Sequence, residues 1–353
     1  IIPCMGIKKL VNDILAIKSP TFHEHECLKF CEHWITTNTS LKITRIQDNL
    51  IAFSPPSEKP HLAFIGHLDV VPEYFKPSEK NGHIYGAGAS DMKGGLAGFL
   101  WFIKENEQKI LEKYQLSVIL YSREEGTKIE DNGLYEVIQN QRHFLQTIDL
   151  AIIAEPTNNT IQLGCVGSIH ATITVPGKAA HSARPWDGEN ALYNAIPVID
   201  YFSKIKPHTY DTSGVTFTDV ISITESHTEK GRTTIPGYWK ANINLRYSPT
   251  HDNGEEILIN HCKKAGLHEG NIDVRDHAPA GNIINSEVLE QTIKQLDQPI
   301  EAKQAWTDVA QLSQLRIPAF NFGPGLTEQA HKPNEYIEYK MLRDYVKILE
   351  RLL

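Results

Sequence analysis

The sequence has no long apolar run, little cysteine and no excess of basic charge. Its longest apolar stretch, Gly94 to Ile103, falls short of the roughly 20 residues that a bilayer-spanning helix needs. That argues against a helical membrane protein. The five cysteines, Cys4, Cys27, Cys31, Cys165 and Cys262, are odd in number and form no C-x-x-C pair. A disulfide scaffold is therefore not expected, and a reducing, cytoplasmic location is. Cys27 and Cys31 lie four apart and read as packed thiols on one helix face rather than as zinc ligands. Lysine and arginine number 35 against 43 aspartate and glutamate, a formal charge of −8. That balance argues against nucleic acid, whose partners usually present a basic face. No repeat or low-complexity segment occurs, and the N-terminus IIPCMGIKKL lacks the basic-then-apolar order of a signal peptide. Met5 is the expected natural start, with Ile1–Cys4 an added remnant.

What is present is an ordinary globular composition over 353 residues, 41% hydrophobic and 22% charged. A chain of this length is expected to form about two domains. Residues 6–18 and 24–36 read as amphipathic helices. HLAFIGHLDVV (61–71), LSVILY (116–121), IDLAIIA (148–154) and IPAFNF (317–322) are apolar runs with the length of buried strands. A helix over 95–114 and a final helix from about Tyr339 alternate with them. Apolar strands alternating with helices indicate an α/β domain with a largely parallel sheet.

The middle follows another pattern. SIHATITV (168–175), 215–224 and YWKANINLRY (238–247) alternate apolar and polar residues, and 271–276 is a further short strand. Helical stretches at 189–203 and 255–265 complete a β-α-β-β-α-β order, the ferredoxin-like arrangement. The expected organisation is a catalytic α/β domain of residues 1–167 and 280–353, interrupted by an inserted α+β domain at 168–279.

The chemistry-bearing residues cluster after the apolar strands. His67 and Asp69 share one strand face by alternation, and a carboxylate there can accept the imidazole N–H and set its tautomer. Taken alone, His67 reads more readily as a satisfied core histidine than as a ligand. Gly86-Ala87-Gly88-Ala89-Ser90-Asp91 leads into a helix, yet no phosphate-loop motif is present and Asp91 would repel an anion. It suits a cation, or a plain helix start capped by Ser90 or Asp91. Glu124 and Glu125 follow the second strand, Glu155 the third, and His331 follows the turn Gly323-Pro324-Gly325. Ligand sites of open α/β sheets lie at this carboxyl edge. His67, Asp91, Glu125, Glu155 and His331 are all N/O donors. They suit Zn²⁺, with Co²⁺ or Mn²⁺ as substitutes, and two ions could share Asp91.

The segments H-L-D, G-A-G-A-S-D-M-K-G-G, E-E-G-T and A-E-P-T, followed by a late histidine, resemble the dizinc amidohydrolase and aminopeptidase family. That family includes succinyl-diaminopimelate desuccinylase, acetylornithine deacetylase, aminoacylase and carboxypeptidase G. The resemblance runs over essentially the whole chain. It implies a zinc-exopeptidase-like catalytic domain with two Zn²⁺ per subunit, and an inserted ferredoxin-like lid that makes a homodimer. It implies that His67 and Glu155 hold one zinc, that Glu125 and His331 hold the other, and that Asp91 bridges them. It further implies that Asp69 orients His67 and that Glu124 is the general base.

G-K-A-A-H-S-A-R-P (177–185) is similar to the family segment whose histidine, here His181, reaches the partner subunit's site and helps stabilise the oxyanion. N-I-N-L-R-Y-S-P (242–249) resembles the strand whose arginine, here Arg246, binds a substrate carboxylate. Backbone N–H groups around Gly323 and Gly325 are expected to help. A-W-T-D-V-A (305–310), N-F-G-P-G (321–325) and A-H-K (330–332) look most like desuccinylases of the actinobacterial type. Two positions depart: Thr233 stands where desuccinylases usually carry Asn, and Val166 where some carry Arg. Both face the acyl or carboxylate end of the substrate in the family. Deacetylation of acetylornithine, acetylcitrulline or acetyl-lysine, and dipeptidase or carboxypeptidase activity, therefore stay open. So does a non-catalytic metal-dependent binder, although such a protein has no use for Glu124 beside the ligands.

Overall fold

The computed structural model describes residues 3–71, 73–229 and 231–353, with the side chains of residues 3–5 outside the description. Ile1 and Ile2 of the expected remnant also lie outside it. The chain divides into two compact units. One comprises residues 1–164, 283–301 and 311–353; the other comprises 165–282 and 302–310. The short stretch 302–310 thus clusters with the inserted unit, whereas the sequence reading assigns it to the catalytic one.

The first unit is built on an eight-stranded sheet. Its order is Lys42–Ile46, Asn49–Phe53, Gln115–Tyr121, His61–His67, Leu150–Ile153, Ala319–Asn321, Ile161–Leu163 and Ile300–Ala302. The four central strands, from Gln115–Tyr121 to Ala319–Asn321, run parallel. Antiparallel strands flank them on both sides. The central strands are apolar throughout because helices cover both faces of such a sheet. Every residue of His61–His67 and Leu150–Ile153 is buried. Register pairs His67 with Tyr121, and Ile65 with both Ile119 and Ile153. The next residues of all three strands therefore emerge at one edge.

The helix Lys93–Lys113 follows the glycine-rich loop and is buried from Lys93 to Leu100. Its two leading glycines are required by close approach. A Cβ on Gly95 would sit 2.3 Å from the backbone oxygen of Ala154, and one on Gly94 would sit 2.3 Å from that of Ala89. The helix start is thereby seated directly against the end of the Leu150–Ile153 strand.

The second unit has a five-stranded antiparallel sheet. Its order is His208–Thr212, Val215–Thr228, Tyr238–Tyr247, Gly167–Pro176 and Ile272–Ala278. The last four strands have the ferredoxin-like order expected. His208–Thr212 is an added edge strand, invisible in a sequence this polar and this short. The helix expected at 189–203 is broken into Ala191–Asn194 and Ile196–Lys204. Pro197 explains the break: it lacks a backbone N–H and sits in the first turn of the second piece. These helices and Gly254–Lys264 cover one face of the sheet around Ile169, Ile173, Trp239, Ile243 and Leu258.

Candidate metal centre

His67 is the last residue of its strand and is 1% exposed. Its Nε2 lies 3.3 Å from Oδ1 of Asp91 and 4.0 Å from Oε1 of Glu155. On the other side of Asp91, the Nε2 of His331 lies 3.7 Å from Oδ2, and 2.9 Å from Oε2 of Glu125. Asp91 thus turns one carboxylate oxygen to each histidine. Ligand-type atoms fall within 4.8 Å of one another in three sets: His67, Asp91 and Glu155; Asp91, Glu125 and His331; and His67, Glu124 and Glu125. The five residues expected to bind metal are brought together, with Glu124 beside them.

The electrostatics suit a cation. Burial and the charge of Asp91 push the Glu125 carboxyl up. Burial opposes protonation of His67, yet hydrogen bonds to Asp69 and Asp91 outweigh it and hold the ring well above the usual imidazole range. The hydrogen bond to Glu125 raises His331 to about 9 against partial burial, with Asp91 and Glu335 adding to the rise. The cluster carries more negative charge than its histidines neutralise, and its donors are the N and O atoms that divalent zinc accepts. The residues present therefore fit a metal.

Asp69 touches more than His67. The strand ends at His67, so alternation no longer governs Asp69. The His67 Nδ1 lies 3.0 Å from the backbone carbonyl of Asp69 and 3.5 Å from its carboxylate. That carboxylate also accepts the backbone N–H groups of Glu124 and Glu125, at 3.0 and 2.9 Å, and the Thr21 hydroxyl at 3.1 Å. Asp69 is therefore also an anchor for the turn that carries Glu124 and Glu125.

Two further buried carboxylates, which the sequence reading misses, do the same elsewhere. Glu24 accepts the N–H groups of Phe22 and Arg123 at 3.0 and 2.9 Å. Both residues hold left-handed φ angles, 70° and 60°, a conformation costly for side chains of this size. Glu335 accepts the N–H groups of Gly88, Ser90 and Asp91. Burial raises its carboxyl to about 7 while these bonds pull against that rise.

The glycines after the last parallel strand are set by close packing. Gly323 is buried, and its N–H donates to the Thr157 hydroxyl at 3.1 Å, so it is already committed. A Cβ there would lie 2.5 Å from the backbone oxygens of Ala154 and Glu155, and one on Gly325 would lie 2.4 Å from that of Ser90. The turn 323–325 is glycine-rich because it packs onto the two backbones that present Glu155 and Asp91.

A family model for peptidase family M20/M25/M40 matches residues 63–353, which include the whole cluster. The chain belongs to peptidase family M20/M25/M40. Its curated relatives include a succinyl-diaminopimelate desuccinylase of Corynebacterium glutamicum, 29% identical over 357 residues, 98% of this chain and 95% of that protein. A protein of the same name from Rickettsia bellii is 30% identical over 324 residues, 81% of this chain and 79% of that protein. The aminopeptidase PepT of Bacillus cereus shares the fold with a TM-score of 0.78 at 18% identity, over 99% of this chain and 97% of that one. The metallo-carboxypeptidase Sso-CP2 of Sulfolobus solfataricus does so with a TM-score of 0.74 at 19% identity, over 98% of both chains.

The inserted unit of this M20/M25/M40 chain holds the other expected residues. His181 is exposed on a short two-stranded antiparallel sheet, opposite Thr234. Its Nδ1 accepts the N–H of Ala183 at 3.1 Å, so in the neutral ring the proton sits on Nε2, free to donate. The N–H of Ser182 donates to the Thr233 carbonyl at 2.8 Å, placing Thr233 beside it. Arg246 donates from Nε to Asn244 at 3.1 Å, and Asn244 is itself held by the Ile169 carbonyl and His170. Among the described residues no carboxylate pairs with Arg246. Burial lowers the pKa of its guanidinium, which makes an incoming carboxylate welcome. Val166 is fully buried.

Proposed function

We propose that this chain hydrolyses the N-succinyl amide of N-succinyl-L,L-diaminopimelate to succinate and L,L-diaminopimelate, with two Zn²⁺ per subunit. The observation that carries the reading is the pair of overlapping donor sets sharing Asp91, with Glu124 adjacent. The desuccinylase relatives, aligned along 98% and 81% of the chain, support the substrate. His67 and Glu155 would hold one ion, Glu125 and His331 the other, and Asp91 both.

When bound, the ions supply Lewis acidity that polarises the amide carbonyl and acidifies the attacking water. Glu124 takes the proton of that water as it attacks, then returns it to the departing amine. The Nε2–H of His181 donates to the oxyanion, a contribution worth about 3–4 kcal/mol for a single donor of this kind. Arg246 and Thr233 meet substrate carboxylate and acyl groups.

N-Succinyl-diaminopimelate is expected to turn over with a kcat/KM at least about 100-fold above N-acetylornithine, because a site built to pair a carboxylate rejects an acyl group lacking one. Turnover of acetylated amino acids alone would replace the desuccinylase with a deacetylase, a reading that the buried apolar Val166 favours.

We also propose a cytoplasmic homodimer formed through the inserted unit, with His181 supplied by the partner subunit. Trp186, Leu192, Tyr193, Ile196 and Ile199 expose large apolar side chains within one short segment, Trp186 by 76%, and such patches mark interaction surfaces. Mixing inactive His181→Ala and Glu124→Gln proteins under conditions that exchange subunits should restore up to about a quarter of native activity, the share set by random pairing. Mixed dimers without any recovered activity would rule out a shared site.

A further inference from the structure

We propose that Glu335 is a positioning residue for the metal centre, tying the loop that carries Asp91 to the turn that carries His331. The inference rests on the dinuclear reading above and concerns a side chain outside the two donor sets.

Glu335 is 3% exposed, and its carboxylate faces backbone rather than ligand atoms. One oxygen accepts the N–H groups of Ser90 at 2.7 Å and Asp91 at 2.8 Å; the other accepts Gly88 at 2.8 Å. Its backbone carbonyl accepts the N–H of Gly86 at 3.1 Å. The Ser90 hydroxyl donates to the carbonyl of Tyr336 at 2.7 Å and accepts the N–H of Leu326 at 3.2 Å. Tyr336–Glu338 then pairs as a strand with His83–Tyr85, just before the loop. The N–H of Glu335 closes onto the carbonyl of Lys332 at 3.1 Å, immediately after His331.

The loop needs such a clasp. It contains Gly86 and Gly88, the latter with φ +83°, and glycine leaves the unconstrained chain many alternatives. Buried N–H groups must also find acceptors. Glu335 meets both demands with one side chain, and thereby fixes where the two Asp91 oxygens sit between His67 and His331.

The two donor sets depend on this clasp unequally. Asp91 and His331, the two segments that Glu335 joins, both belong to the Asp91–Glu125–His331 set; only Asp91 belongs to the other. Losing the clasp therefore weakens the second ion more than the first.

The test is stepwise Zn²⁺ titration by chelator competition on native and Glu335→Gln protein, with circular dichroism to confirm the fold. Glutamine keeps the shape but presents an NH₂ to a backbone donor. The second ion should bind about 10–100-fold more weakly, as loss of outer partners of ligands does elsewhere, and the first ion should change less. Native affinity at both steps, or equal weakening of both, overturns the proposal. If Glu335→Gln fails to fold, Ser90→Ala removes the bonds to Tyr336 and Leu326 and should give the same ordering; no ordering overturns it. If the native protein takes up only one ion, the dinuclear reading fails, and a Glu335→Gln protein that keeps native affinity for that ion overturns the present inference too.

Discussion

Glu124→Gln protein is expected to bind its metal with native stoichiometry and to turn over at least about 1,000-fold more slowly, the scale of a lost general base. The expectation follows from where Glu124 sits. Its backbone N–H is pinned by the Asp69 carboxylate at 3.0 Å, so a glutamine side chain starts from the same anchored position. His67, Asp91, Glu125, Glu155 and His331 are untouched. What is lost is a carboxylate able to take a proton from water and return it to the leaving amine. Metal analysis beside saturating kinetics checks both halves. Turnover within tenfold of native would remove Glu124 from the mechanism, and loss of metal would make it a ligand instead.

Chelation should abolish hydrolysis and lower thermal stability, and added Zn²⁺ should restore both. The cluster explains the size of the effect. Glu125 is raised by burial and by Asp91, so without a cation its carboxylate is held in an unfavourable place. An ion present at 100 times its dissociation constant stabilises the folded chain by about 2.7 kcal/mol. The pH dependence should change sign with loading. In chelated protein His331 is raised from 6.5 to about 9, so the stability it contributes is full below about 6.5 and is lost as pH rises through 9. In loaded protein the ion needs that nitrogen bare, so its affinity grows over the same interval. Melting curves with and without chelator across this range separate the two. Full activity after exhaustive chelation would end the metal mechanism.

How much of this was legible beforehand depended on the kind of signal. Leu116–Tyr121 and Ile148–Ala154 are apolar enough to announce buried strands, and residues just beyond such strands are natural site candidates. His67, Glu125 and Glu155 were readable for that reason. Asp91 and His331 lie in loops and gained meaning from the ligand set and the family segments. Asp69 lies beside His67 as expected, with its carboxylate 3.5 Å from Nδ1, and carries a second task that the sequence does not announce. Period-two reasoning holds only while the strand continues, and here it stops at His67, so it gives no hint that Asp69 also holds the backbone of Glu124 and Glu125. Glu24 and Glu335 had no periodic signal, because each matters through an N–H group up to 247 residues away. Gly323 was read for its N–H, whereas the missing side chain is what the fold requires. The strand His208–Thr212 was missed because an exposed polar edge strand resembles a loop.

One detail of the inserted unit bears on how the chain finds its fold. Cys165 and Gly281 exchange reciprocal backbone hydrogen bonds, at 3.1 and 3.0 Å. The insertion is closed at its own root. The parallel core of the first unit must bring Ala319–Asn321 beside Leu150–Ile153 across more than a hundred intervening residues. Loop-closure entropy grows by about 0.6 kcal/mol for each doubling of length. Once the root is tied, about 115 of the roughly 165 intervening residues no longer count, a little under two doublings and on the order of 1 kcal/mol less to close. A side branch sealed in this way can lengthen, shorten or change its surface while the strands that lead to the candidate metal centre pair as though it were a short turn.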